Sequence, residues 1–271
     1  MPLQPEKLPE LLGLVTENPK YQGISSSLVE RIARQMLPRY NSMREAAKAV
    51  RTKLHQLTGA YNTNLNGYAQ DEVNSGVNSE DGLLDAKAWA SPWLQTHAST
   101  KERLAFIDDF FKISLRSIAP VQSVLDLACG LNPLCIPWMP LADQFTYHAC
   151  DVVLPNLKIV ETFFGRFNIQ GSVSECDLSD CVPDTQVQLA LLLKTLPLLD
   201  QIDKSITPKL LRALNAEYVL ISYPLKSLGG KSKGMEQTYR AQFLSLMRDT
   251  GWEWEEHRFP NELAFLVRKS G

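Results

Sequence analysis

The sequence predicts an α/β fold: a mostly parallel sheet ending in an antiparallel hairpin, set behind an N-terminal helical region. Three observations carry that expectation. From about residue 86 onward, short apolar runs alternate with amphipathic helical stretches, the pattern of a parallel sheet covered on both faces. One of those runs, Val124-Leu125-Asp126-Leu127, stops abruptly at Ala128-Cys129-Gly130, a strand followed by a small-residue turn. The final runs, 252–259 and 262–269, are separated by Pro260-Asn261, which reads as a hairpin at a sheet edge.

Residues 25–38 form one helical pattern, stopped near Pro38, and 42–57 form the next. Ser42 and Glu45 have capping-box spacing at the start of the second helix. Met43, Ala47, Val50, Leu54 and Leu57 give it an apolar face. Arg44, Lys48, Arg51 and His55 recur at steps of four, three and four, which makes a basic stripe along the same helix. Residues 61–82 are rich in Asn, Ser and Gly and read as a polar linker. A third helix spans 99–115, with Ser99 and Glu102 at capping-box spacing and Leu104, Ile107 and Phe111 on its buried side. Strands are expected at 123–128, 145–152, 171–176, 187–193 and 216–223, with helices at 154–167 and 207–214. The division that results is a helical unit with its linker at 1–85 and an α/β unit at 86–271.

Composition excludes several classes. No apolar run reaches the 18 or more residues of a membrane span, and prolines and charges interrupt the first stretch, so no secretory leader is expected. Five cysteines stand at 129, 135, 150, 176 and 181 without a C-x-x-C pair. That predicts no metal site and reduced thiols in a cytoplasmic protein. The formal net charge is −2, yet the charge is unevenly spread. Residues 1–60 carry nine Lys/Arg against five Asp/Glu, 61–110 carry three against eight, and 226–271 carry eight against six. Basic surface is therefore expected near both ends of the chain.

Ligands of an open α/β sheet bind beyond the carboxyl ends of its strands. Gly130 lets backbone approach a ligand there, and Asp151, closing the second strand, suits the two hydroxyls of a ribose. Asp177, after the third strand, suits an adenine amino group. Asp126 either serves the turn or meets an amino group. A dinucleotide needs three closely placed glycines around its pyrophosphate, and Ala128–Pro133 supplies one. A phosphate-free nucleoside needs less, and S-adenosyl-L-methionine, with S-adenosyl-L-homocysteine as product, meets that description. Arg103 offers a bidentate partner for its carboxylate, with the Ser99 and Thr100 hydroxyls nearby. Ala128 beside Gly130, Leu178 beside Asp177, and Leu193 at the end of the fourth strand complete the expected cofactor-binding set.

The residues after the fourth strand constrain the methyl acceptor. Leu193–Leu198 lacks the aromatic clamp of many amino-group methyltransferases, and Cys176 and Cys181 flank an acidic turn rather than a Pro-Cys element. A ring nitrogen with a free lone pair, such as guanine N7, needs no general base and fits better. Nucleic acid is indicated by the Arg44/Lys48/Arg51/His55 stripe and by residues 225–240, where Lys226, Lys231 and Lys233 sit in a Gly/Ser-rich loop. Met235 or Tyr239 offers an apolar surface for an unstacked base.

Residues 97–111 (HASTKERLAFIDDFF), 124–140 (VLDLACGLNPLCIPWMP) and 222–239 (SYPLKSLGGKSKGMEQTY) closely resemble the aminoglycoside-resistance methyltransferases that modify N7 of guanine 1405 in bacterial 16S ribosomal RNA. The likeness runs over nearly the full chain. It implies a Rossmann-like class I S-adenosylmethionine-dependent methyltransferase fold with an N-terminal helical domain. It also implies assembled 30S subunits as substrate and protection from 4,6-disubstituted deoxystreptamine drugs. The family's cofactor pattern falls on Arg103, Gly130, Asp151 and Asp177. Its docking positions fall on Lys20, Arg51 and His55, and on Lys231, Met235 and Glu236, with Met235 supporting the target base. A monomer without obligate protein partner is expected. Three readings compete with this one: an adenine-N1 methyltransferase of the same rRNA region, a non-catalytic RNA-binding protein on a methyltransferase-like fold, and a small-molecule methyltransferase.

Overall fold

The computed structural model describes residues 2–59, 83–225 and 234–269. Seven strands form one sheet: β1 (Val121–Leu127), β2 (Leu141–Asp151), β3 (Gly171–Glu175), β4 (Val187–Leu193), β5 (Ala216–Pro224), β6 (Glu253–Arg258) and β7 (Glu262–Arg268). Their order is β3-β2-β1-β4-β5-β7-β6. The first five are parallel, while β7 runs antiparallel to β5 and pairs with β6 as the expected hairpin. Strand residues alternate between the two faces. Leu189, Leu191, Leu220, Ala264 and Leu266 enter one core, and Ala190, Leu192, Ile221, Phe265 and Val267 enter the other. Each fully buried Leu, Ile, Val or Phe among these contributes roughly 1.5–3 kcal/mol, so the period-two pattern fixes the register of β4, β5 and β7.

Ten helices surround or precede the sheet among the described residues: α1 (Leu8–Thr16), α2 (Ser26–Met36), α3 (Met43–Leu54), α4 (Leu83–Thr96), α5 (Ala98–Arg103), α6 (Ile107–Ser114), α7 (Leu154–Arg166), α8 (Leu196–Ile202), α9 (Ile206–Ala213) and α10 (Met235–Met247). Helices α1–α3 share a core of their own, built from Leu11, Val15, Ile32, Ala33, Val50 and Leu54 among others. Ser25 caps α2, its side chain accepting from the Leu28 N–H at 3.4 Å. Ser42 stands at the start of α3 as expected, but its side chain makes no capping bond.

One expected helix differs in the structure. The helix read over 99–115 is broken: α5 begins at Ala98 after His97, a 3-10 turn covers Leu104–Phe106, and α6 comes after it. Ser99 therefore lies inside α5 and caps nothing. The division expected at 85/86 falls near the start of α4, and Ala86, Ala90, Trp93 and Leu94, on its α/β side, pack into the sheet's core. Helix α4 belongs with the α/β unit.

Candidate active site

The strand order changes direction at β1, which has β2 on one side and β4 on the other. A crevice must open beyond the carboxyl ends at that point, and it does. A cavity enclosing about 630 Å³, mouth included, lies there. Of the nine residues expected to bind cofactor, Ser99, Thr100, Arg103, Ala128, Gly130, Asp151 and Leu193 all line it.

The turn after β1 shapes the floor. Ala128 and Gly130 both take left-handed backbone, at φ 50° and 53°. A Cβ on Gly130 would lie 2.7 Å from the His97 ring. The glycine is thus required twice, by its conformation and by its neighbour. Its N–H donates to Asp151 Oδ2 at 2.7 Å. The other oxygen of Asp151 accepts from the Val152 and Val153 amides at 2.7 and 2.9 Å. Burial raises the Asp151 pKa, and these three backbone donors work against that rise. The carboxylate is held still at the end of β2, facing the cavity it helps to line.

Asp126 lies one residue before the end of β1 and is 1% exposed. Its Oδ2 accepts from Asn132 Nδ2 at 2.8 Å and from the Tyr147 hydroxyl at 2.7 Å. Burial pushes its pKa up to about 7, against the pull of those two bonds and of Arg103. An ammonium group entering the cavity would find here a carboxyl ready to ionise.

Arg103 is fully buried, and its role is broader than the sequence suggested. Its Nε and Nη2 donate to the two oxygens of Glu262 at 3.1 and 2.6 Å, and Nη1 donates to Asn132 at 2.9 Å. The guanidinium carbon lies 4.4 Å from the centre of the Phe110 ring. Burial pulls the Arg103 pKa down, but its contact with Glu262 more than offsets this and leaves it above the ordinary value. Glu262 shows the reciprocal effect: burial raises its pKa, and Arg103 and Lys194 bring it below normal. Lys194, at φ 58°, donates to Glu102 at 2.7 Å and approaches Glu262 at 3.7 Å. Arg103, Lys194 and Glu262 are thus buried together beside the cavity, with Glu102 at the partly exposed edge of the cluster.

Asp177 and Leu178 are not among the residues lining this cavity. The Asp177 carboxylate is occupied elsewhere. Its Oδ2 accepts from Arg31 Nε at 2.8 Å and its Oδ1 from the Ser179 amide and hydroxyl at 3.0 and 2.5 Å. Thr100 lines the cavity, but its hydroxyl donates to the Leu94 carbonyl at 2.7 Å.

Sequence reasoning left His97, Asn132, Asn156, Lys194 and Thr195, all cavity-lining, outside the expected set. One signal was available: Lys194 is an ionisable residue directly after the apolar run Leu189–Leu193. Glu262 gave no such signal, because an acidic residue at a strand start is ordinarily solvated. Leu57 and Thr58 also line the cavity, reaching it from the π-type turn at His55–Gly59 that continues α3. The helical unit is fastened close by. Ile24 bridges Val153, the Ser25 amide donates to the Val152 carbonyl at 2.8 Å, and the Leu154 amide donates to Gly23 at 2.9 Å.

The basic stripe on α3 is present. Arg44, Lys48 and His55 are exposed, and Lys20 meets His55 with Nζ 3.1 Å from Nδ1. Arg51 is half-buried and donates to the carbonyls of Leu14 and Val15, so it also ties down the end of α1. Met235 and Glu236 open α10. Glu236 pairs with Arg240 and Arg258, which lower its pKa. Lys226, Lys231 and Lys233 lie outside the described residues. Among those described, no cluster of His, Cys, Asp or Glu is arranged to hold a metal ion, and no helix is long and apolar enough to cross a membrane.

Known proteins share both the sequence and the fold. A family model described as ribosomal RNA methyltransferase (FmrO) matches residues 17–266. A 16S rRNA (guanine(1405)-N(7))-methyltransferase of Frankia casuarinae is 34% identical over 94% of this chain and 91% of its own length. One from Serratia marcescens is 30% identical over 97% and 98%. Among solved structures, 16S rRNA methyltransferase RmtF in complex with S-adenosyl-L-homocysteine superposes with a TM-score of 0.81 at 29% identity, covering 98% of this chain and all of that one.

Proposed function

Because the chain belongs to the ribosomal RNA methyltransferase (FmrO) family, we propose that it transfers a methyl group from S-adenosyl-L-methionine to N7 of guanine 1405 of 16S rRNA. The substrate is the assembled 30S subunit in the cytoplasm, and the modification protects it from 4,6-disubstituted deoxystreptamine aminoglycosides. The observation that carries this reading is the cavity beyond β1, β2 and β4, which gathers Arg103, Gly130 and Asp151 in a chain with such relatives.

The residues present suit the donor. Gly130 leaves room for backbone to approach a nucleoside, and a side chain there would collide with His97. Asp151 is fixed by three backbone amides and presents its carboxylate to a ribose diol. Asp126 receives the amino group. Arg103 has five N–H donors, three of which are spent on Glu262 and Asn132, and the remaining two serve a carboxylate. When bound, the donor supplies a methyl group on a sulfonium, open to direct displacement.

The chain's own task is alignment and exclusion of water. Guanine N7 carries no proton, so no side chain has to act as base. Leu193, Lys194 and Thr195 line the side of the cavity beyond β4, where the target base enters. The α3 stripe, with Lys20, grips rRNA phosphates. The deciding experiment supplies radiolabelled donor to purified 30S subunits and free 16S rRNA, then locates the product by primer extension. Label at guanine 1405 of the subunit is expected. Label at an adenine, on a small metabolite, or nowhere would overturn the assignment.

A further inference from the structure

Cys176 comes directly after β3, and Cys181 lies five residues later. The Asp177 carbonyl accepts from both the Asp180 and Cys181 amides, at 2.9 and 3.0 Å. That curl brings the two sulfur atoms to 3.1 Å. Cys176 is buried and Cys181 is exposed. A third thiol, Cys150 near the end of β2, is buried in the same core as Cys176 and helps to raise its pKa.

We propose that Cys176 and Cys181 form a reversible disulfide site that reacts with low-molecular-weight disulfides of the glutathione class. The Cys181 thiol, reachable from solvent, loses its proton and attacks one sulfur of the small disulfide. Its S–S bond breaks and one small thiol leaves, carrying that proton. The Cys176 thiol then loses its proton and attacks the Cys181 sulfur, and the second small thiol departs with it. Two protein thiols are oxidised, and one small disulfide is reduced to two thiols. Closing the sulfurs to about 2.05 Å needs a loop shift of about 1 Å.

The exposure difference sets the order of events, since only Cys181 meets the reagent first. Cys150 is buried and cannot take that first step. Hydrogen bonding to Cys176, partial burial and the nearby Asp180 and Asp177 hold the Cys181 pKa up, to about 11. The thiolate is scarce at neutral pH, so exchange is slow and the site registers sustained oxidation rather than brief exposure. The ring that closes contains Asp177, the partner of Arg31 on α2. Oxidation therefore strains the contact between the helical unit and the loop after β3. Its effect on cofactor binding rests on the proposed function; the chemistry itself does not.

The full-length chain is incubated with oxidised glutathione, denatured, alkylated and measured by mass spectrometry. Three of the five cysteines should take up label, with the 176–181 segment lighter by two hydrogens and dithiothreitol restoring all five. The Cys150→Ser variant should still close the ring, and Cys181→Ser should not. A stable glutathione adduct on Cys181, a Cys150–Cys176 link, or five alkylated thiols would overturn the site. Calorimetry with S-adenosyl-L-homocysteine should show weaker binding to the oxidised chain than to the reduced one. Equal affinity with the ring closed refutes that consequence alone, whereas no binding to the reduced chain counts against the proposed function instead.

Discussion

In the proposed function Asp126 meets the donor's ammonium, so the cofactor's affinity should depend on pH. Burial raises its pKa to about 7, so the folded chain holds this proton more tightly than the unfolded chain does. The empty fold therefore loses stability as pH climbs from about 4 towards 7. A ligand ammonium reverses the preference, because it requires the carboxylate. At pH 6 roughly one Asp126 in eleven is ionised, and at pH 7.5 roughly three in four. Affinity for S-adenosyl-L-homocysteine should rise roughly eightfold across that interval, about 1.2 kcal/mol. Calorimetry in two buffers of different ionisation enthalpy should also register proton release at pH 6. Asp126→Asn should bind more weakly at pH 7.5 and lose the slope, which separates this group from Asp151 nearby. A flat wild-type profile, or an unchanged slope in the variant, would refute the role given to Asp126.

Three further outcomes come from the geometry. Glu262→Gln keeps volume but strips the negative charge from beneath Arg103 and Lys194, and should cost about 3–5 kcal/mol in urea unfolding; a loss under about 1 kcal/mol would mean the pairing is not what balances Arg103. Gly130→Ala forces a side chain into left-handed backbone against His97, at a cost of about 1–3 kcal/mol, and should abolish cofactor binding in a chain whose circular dichroism is unchanged; full binding would show that the turn can re-form. Arg51→Ala breaks two bonds to α1 carbonyls and should lower thermal stability along with 30S affinity, whereas Arg44→Ala should lower only the affinity, as read by co-sedimentation; equal melting temperatures for the two variants would contradict the structural role of Arg51.

The parts of the fold visible in the sequence were those with a repeating physical signature. All five parallel strands and the hairpin lie within a few residues of the expected positions; β1, β4, β5 and β7 bury apolar residues on both faces, while the outer strands β3 and β6 are bounded by turn residues. Seven of the nine expected cofactor residues share one cavity: Ala128, Gly130, Asp151 and Leu193 converge there because strand ends and their turns do so by topology, and Ser99, Thr100 and Arg103 come from α5. The features that escaped notice depend on contacts distant in sequence. The Arg103–Glu262 pair joins residues 159 positions apart, and nothing local marks either as buried. Asp177 reads as a ligand for adenine, but Arg31, 146 positions earlier, holds its carboxylate. The 99–115 pattern reads as one helix because the spacing of apolar residues continues through a break that only the backbone reveals.

The same long-range contacts explain how a docking surface can matter to a pocket it barely touches. The helical unit grips the segments just beyond β2 and β3: backbone bonds join Gly23 and Ser25 to Leu154 and Val152, and Arg31 holds Asp177. Val152 and Val153 are also the residues whose amides fix Asp151. Main-chain bonds do not depend on side-chain identity, so charge changes on the exposed face of α3 leave them intact. In the proposed function, rRNA docked on α3 and Lys20 acts on the cavity through this junction and through the turn that continues α3. By linkage, if rRNA docked there raises cofactor affinity by holding Asp151 in place, bound cofactor raises rRNA affinity by the same factor. Seating Leu57 and Thr58 in the cavity wall makes that coupling direct, since the turn carrying them continues the helix that presents the basic stripe.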